Sequence, residues 1–225
     1  MIRQEDKNFV EHGFQKLQER GWFPNLELEP STITEEEIEA FEMEHQITLP
    51  SLYKAFLTSR RLPSGSYQIC SITDARGDES NLRVLWLEID IPKSMEQISE
   101  QMETLKEIQE FCDLPDNSFQ YLIPIGDWGA AWGPLCIDLS NPENEVVGTD
   151  KNTWSLVWFD HEEFAWDEVY LDDDDGLLHG SSAAPTLKKL LEWYFYGSLE
   201  AKYEEKTGEK LTYKWYIEGM EDFME

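Results

Sequence analysis

Apolar residues first recur at helical spacing at Phe9, Val10, Phe14 and Leu17, and Gly21 stands where a left-handed cap would stop that helix. Pro24 and Pro30 mark a short linker. The stretch "STITEEEIEAFEMEHQITLPSLYKAFL", residues 31–57, then reads as two helices with their punctuation. Thr34 and Glu37 have the spacing of a capping box, the early glutamates suit the positive end of the helix dipole, and Ile38 and Phe41 fall on one face. Pro50 suits a first helical position, where a missing N–H costs nothing, and Leu52, Tyr53, Phe56 and Leu57 make the inward face of the second helix.

After the polar loop "RLPSGS" the pattern changes period. Tyr67, Ile69, Leu82, Val84 and Trp86 alternate with polar neighbours, which predicts extended chain over 67–91. A third helix is marked from Ser94 to Phe111, with Ser94 and Gln97 as its cap and Met95, Ile98, Met102, Leu105 and Ile108 in a stripe at core spacing. Short apolar runs at 121–125, 132–139, 146–147 and 155–160, separated by "GDWGAAWG" and "SNPENE", predict strands joined by turns and paired antiparallel. A last helix opens at Pro185, carries Leu187, Leu191, Phe195 and Leu199, and ends near Gly208. The tail "LTYKWYI" alternates as a strand would, and a helix fits it as well. Helices first, strands in the middle and a helix after them predict the α+β class in one domain.

Composition sharpens this. The chain has 225 residues, 40% of them apolar and nine of them tryptophan, enough to bury a core without disulfides or metal. Three scattered cysteines, Cys70, Cys112 and Cys136, suggest neither a disulfide framework nor a paired-cysteine zinc site. No apolar run has the length needed to span a bilayer, and "MIRQEDKNFVEHGF" lacks the layout of a signal peptide, so a cytoplasmic location is expected.

Charge changes the picture most. Forty-seven acidic residues against eighteen basic ones give a net charge of −29, which disfavours nucleic acid and anionic membranes and favours a basic partner. From Glu107 to Leu187 there are eighteen acidic residues and one basic residue, Lys151.

Catalytic patterns are thin. The glycines of "IPIGDWGAAWGPLCIDL", 126, 129 and 133, are followed by a strand-like run where a phosphate loop needs a helix, so the stretch reads as a hairpin turn. His12, His45, His161 and His179 form no ligand pair, and no nucleophile elbow is present. In "LDDDDGLL" a calcium-loop register that sets Gly176 sixth puts Leu171 first and Ser182 twelfth, where carboxylates are required. No catalytic residue, cofactor or metal site is therefore expected.

The order of motifs does carry a resemblance. The capped helix from Thr34 to Phe41, "LPSLYKAFL" at 49–57, "YLIPIGDWGAAWGPLCIDL" at 121–139, "LVWFDHEEF" at 156–164 and an amphipathic closing helix together resemble the SUKH superfamily. That group includes yeast regulators of cell-wall glucan synthesis and bacterial immunity proteins of polymorphic toxin systems. Where its members carry an Asn-Gly-Gly turn after the second helix, this chain has "TSRRLPSGS". The resemblance implies a single α+β domain with a central, largely antiparallel sheet backed by helices, and no catalysis. It divides the chain into an N-terminal helical extension (1–30), a SUKH-like domain (31–208) and a C-terminal extension packed on it (209–225).

The expected function is that of a non-enzymatic binding module, an immunity protein that covers a basic toxin domain, a nuclease for example, with an acidic surface. The alternative is a regulatory scaffold of the cell-wall-synthesis-regulator type. Charge and expected turn position nominate Asp160, Glu162, Glu163, Asp167, Glu168 and Asp172, Asp173, Asp174 and Asp175 as partner contacts, with Trp166 as an aromatic anchor. Asp127 and Trp128, at the expected tip of the glycine-rich turn, complete the candidate set.

Overall fold

A computed structural model describes residues 1–20, 28–61, 71–72, 83–84, 92–111, 113, 122–127, 134–139, 156–160, 165–171, 178–180 and 186–196. Helix α1 (Gln4–Glu19) buries Val10, Phe14 and Leu17, as the spacing predicts. Its C-cap is Arg20, and Gly21 lies outside the described residues. Helix α2 (Glu35–His45) opens on the predicted capping box: Thr34 Oγ1 accepts from the Glu37 N–H at 3.2 Å while the Glu37 carboxylate accepts from the Thr34 N–H at 2.8 Å. Two orphan donors are satisfied reciprocally, so the first turn is held without tertiary help. Helix α3 (Ser51–Ser59) begins one residue later than expected, with Pro50 as its N-cap in an extended conformation (φ −56°, ψ 139°). Its inward face is wider than the pattern predicts, because Lys54 and Ala55 are buried along with Leu52, Tyr53, Phe56 and Leu57.

Helix α4 (Met95–Phe111) follows a cap in which Ser94 Oγ accepts from the Gln97 N–H. The Gln97 side chain reaches back to the Lys93 N–H at 2.6 Å. Ile98, Met102 and Leu105 are buried as the stripe predicts, and Gln109 joins them. Helix α5 (Leu187–Tyr196) buries Leu187, Leu191 and Phe195 at one-turn spacing, and the predicted continuation to Gly208 lies outside the described residues.

The class is α+β. Strands β1 (Ser71–Ile72) and β2 (Arg83–Val84) form a two-stranded antiparallel pair within the predicted extended stretch. Strands β3 (Leu122–Asp127), β4 (Pro134–Asp138), β5 (Leu156–Asp160), β6 (Ala165–Leu171) and β7 (Leu178–Gly180) form a five-stranded sheet in sequential order, every pair antiparallel. The glycine-rich stretch thus joins two paired strands, as a hairpin reading requires, and the register slips by one residue between Pro124 and Gly126. Gly129 and Gly133 lie outside the described residues, as does the predicted strand at 146–147. The apolar runs that predict strands stop at residue 160, so β6 and β7 lie beyond them. The adjacent Asp167 and Glu168 break the two-residue alternation, and three residues are too few for β7 to show a period.

Two packing centres hold these elements. Helix α4 lies on β3, where Leu105 packs with Leu122 and the buried Cys136, flanked by Ile108. Helices α1, α3 and α5 pack on one another, with Phe14 against Phe195 (5.1 Å between ring centroids) and Phe56 (6.1 Å). Gly13 makes this approach possible, since a Cβ there would stand 2.3 Å from the Phe195 ring. Arg20 donates to the Phe195 carbonyl at 3.1 Å and Tyr196 to that of Phe9 at 3.3 Å, which ties the last turn of α5 to α1.

Candidate partner-binding surface

The antiparallel meander fixes where the nominated acids can lie. Asp127 closes β3 and pairs with Pro134 at the start of β4. Asp160 closes β5 and pairs with Ala165 at the start of β6. Both therefore stand at one end of the sheet, the end from which the chain continues to Trp128 and to Glu162 and Glu163. Leu171 and Leu178, between which Asp172 to Asp175 run in sequence, pair at the other end, about 20 Å away along a seven-residue strand. Trp128, Glu162, Glu163 and Asp172 to Asp175 lie outside the described residues.

Trp166, Asp167 and Glu168 sit inside β6 and not in a turn, a correction to the position for which they were chosen. They pair with Phe159, Trp158 and Val157 in turn. Asp160, Trp166, Asp167 and Glu168 are thus neighbours along one hairpin.

A second acidic surface, on the helices, was missed. Glu96, Glu100, Glu103, Glu107 and Glu110 of α4 are all exposed. Their spacing of four, three, four and three places them in one stripe opposite the buried Ile98, Met102 and Leu105. One of them, Glu103, is ion-paired among the described residues, to Lys106. Helix α2 packs against α4 and exposes Glu36, Glu37, Glu39 and Glu44. The signal was present in the sequence as the complement of the apolar stripe.

The buried polar groups serve the frame. Glu42 Oε1 accepts from the Lys54 ammonium at 2.9 Å and from the Leu49 N–H at 2.7 Å, an ion pair with side chains 15% and 6% exposed that joins α2 to α3. Glu11 takes Ser59 Oγ on one oxygen at 2.7 Å and the Arg60 guanidinium on the other at 2.9 Å. Partial burial pushes the Glu11 carboxyl up, yet the hydrogen bonds from Ser59 and Arg60 and the Arg60 charge outweigh it and hold the group below its ordinary value. Burial, with a smaller push from the Asp138 charge, raises the Cys136 thiol far above its usual range, which leaves it un-ionised and a poor nucleophile. Among the described residues no three His, Cys, Asp or Glu side chains gather in a way that could hold a metal ion.

The model of the SMI1 / KNR4 family (SUKH-1) matches residues 32–175, more than half of the chain. The chain belongs to the SMI1/KNR4 family. No curated protein and no solved structure matches it. The SUKH-1 segment includes α2, α3, α4 and β1 to β6, so both acidic surfaces fall within it. Helices α1 and α5 lie outside the matched SUKH-1 residues, one before and one after, and they pack on each other and on α3 of the matched segment. No helix among the described residues is long and apolar enough to cross a membrane.

Proposed function

We propose that this SUKH-1 chain is a non-catalytic binding module that neutralises a basic protein, an immunity protein whose acidic surface covers the anion-binding face of a toxin domain such as a nuclease. The carrying observation is the one-signed charge: forty-seven acids against eighteen bases, displayed in the folded chain as acidic stripes on the outer faces of α2 and α4. Complementary charge accelerates encounter and selects the partner, while exposed apolar side chains within the charged field contribute affinity. The resemblance to immunity proteins supports the same reading, with a cytoplasmic site of action and no cofactor. Cys136, deeply buried with its thiol held protonated, fits a role in the core and not in chemistry.

The test is co-expression with the product of the neighbouring reading frame. Growth rescue by the intact chain, together with a co-purifying complex, is the expected outcome. An adjacent gene whose product is harmless and does not associate would contradict the immunity role. The regulatory alternative draws on the resemblance to yeast regulators of cell-wall synthesis, and it predicts association with cell-wall-synthesis proteins with no rescue from any toxin.

A further inference from the structure

An acidic helix face is, taken alone, an ordinary solvated surface, because glutamates keep the outside of a helix wet. The outer faces of α2 and α4 carry something more. Phe111, at the end of α4, is 84% exposed and stands one turn beyond Glu107; Met43, on the outer face of α2, is 80% exposed and stands one turn beyond Glu39. Apart from Met1, these are the large hydrophobic side chains that the described residues leave exposed, and both lie on this packed pair of helices. Exposed Glu39 precedes Met43 by one turn and exposed Glu44 follows it in sequence, as exposed Glu107 precedes Phe111 by one turn and exposed Glu110 adjoins it. An aromatic or thioether side chain set among like charges has the form of an interface anchor with a charged rim. The helix itself gains nothing from the arrangement, since like charges at three- and four-residue spacing repel.

We propose that the outer faces of α2 and α4 form the docking surface for a basic amphipathic helix of the partner, whose apolar stripe takes Phe111 and Met43 and whose lysines and arginines meet the glutamate stripe. From Glu96 to Glu110 the acidic stripe runs about 21 Å along the helix axis, a span a partner helix can follow with residues at the same three- and four-residue spacing. The inference rests on the reading of the chain as a binder of basic protein and names the face that does it. It also moves the contact away from Asp172 to Asp175, which the sequence alone nominates.

Two peptide probes of equal charge and length test it with the full chain: a lysine–leucine peptide with leucines at helical spacing, and a lysine–serine peptide in which serine replaces each leucine. Fluorescence anisotropy at low salt is expected to show the leucine peptide binding about ten-fold more tightly. Replacing Met43→Ser and Phe111→Ser together should bring the two peptides to equal affinity. Glu100→Lys with Glu107→Lys should weaken both by about ten-fold or more, while Asp172, Asp173, Asp174 and Asp175→Asn should change either by less than about two-fold. Amide shifts in the unaltered chain, read as the leucine peptide is added, should move in α2 and α4, which needs no variant to fold. Equal affinity of the two peptides for the unaltered chain overturns the docking face. So does loss of binding on the aspartate replacements with none on the α4 reversals, an outcome that leaves the basic-partner function standing. Failure of both peptides to bind at low salt overturns the function together with the face.

Discussion

Helices α1 and α4 are near twins in length, at 16 and 17 residues, and each shows one apolar stripe, yet the protein uses them in opposite ways. Helix α1 is packed against both α3 and α5, and its charges are engaged across elements: Lys7 with Glu35, Glu11 with Ser59 and Arg60, and the backbone N–H of Arg3, just before it, with Ser51. Helix α4 packs on β3 and α2 and turns a row of five glutamates outward, with Phe111 at its end. One helix joins α5 to the family segment, and the other displays a surface. Amphipathicity alone does not separate these roles; what separates them, among the described residues, is whether the polar side is engaged by other elements.

The sharpest way to break this contrast is to truncate one phenylalanine on each side. Phe195→Ala should cost about 3–5 kcal/mol in chemical denaturation, since its ring is fully buried against Phe14 and Phe56. Phe111→Ala should change stability by less than about 0.5 kcal/mol, because its ring is already in water. Glu42→Ala comes next, at about 3 kcal/mol, since it strands the Lys54 ammonium at a buried position.

Gly13→Ala is a test of sign. Helix propensity alone would raise stability by about 1 kcal/mol, whereas the clash of the new methyl with the Phe195 ring should lower it by about 1–3 kcal/mol. A thermal midpoint that rises would show that α1 and α5 do not interlock at this position. The smallest effect concerns acid. Because the Glu11 carboxyl is held below its ordinary value, its contribution is complete above the unfolded value, about pH 4.3, and is lost as pH falls through the lower folded value. In pH-dependent denaturation Glu11→Gln should therefore flatten the stability loss below about pH 4 and leave α4 helicity untouched.

These predictions also mark what was legible in the chain. The Thr34–Glu37 box, the α4 stripe and the inward face of α3 follow from local spacing, and each is where local rules place it. Gly13 reads as a weakness in a helix until Phe195, far along the chain, is brought against it. Lys54 reads as an exposed charge between apolar neighbours until Glu42 meets it. Strand β6 stayed hidden because "AWDEVYL" sets two acids side by side, which breaks the alternation a half-buried strand would show. Counting acids along the sequence nominates the aspartate run, while the folded helices also gather glutamates by helical phase, which a linear count does not see.

The claim at the centre of the account is that charge drives recognition of a basic partner. The most direct measurement is the salt dependence of association between the full chain and the product of the neighbouring reading frame, followed by stopped-flow. The account predicts an association rate constant that falls by about ten-fold or more between low and physiological ionic strength, with a much smaller change in the dissociation rate. An association rate that stays flat across that range would contradict it.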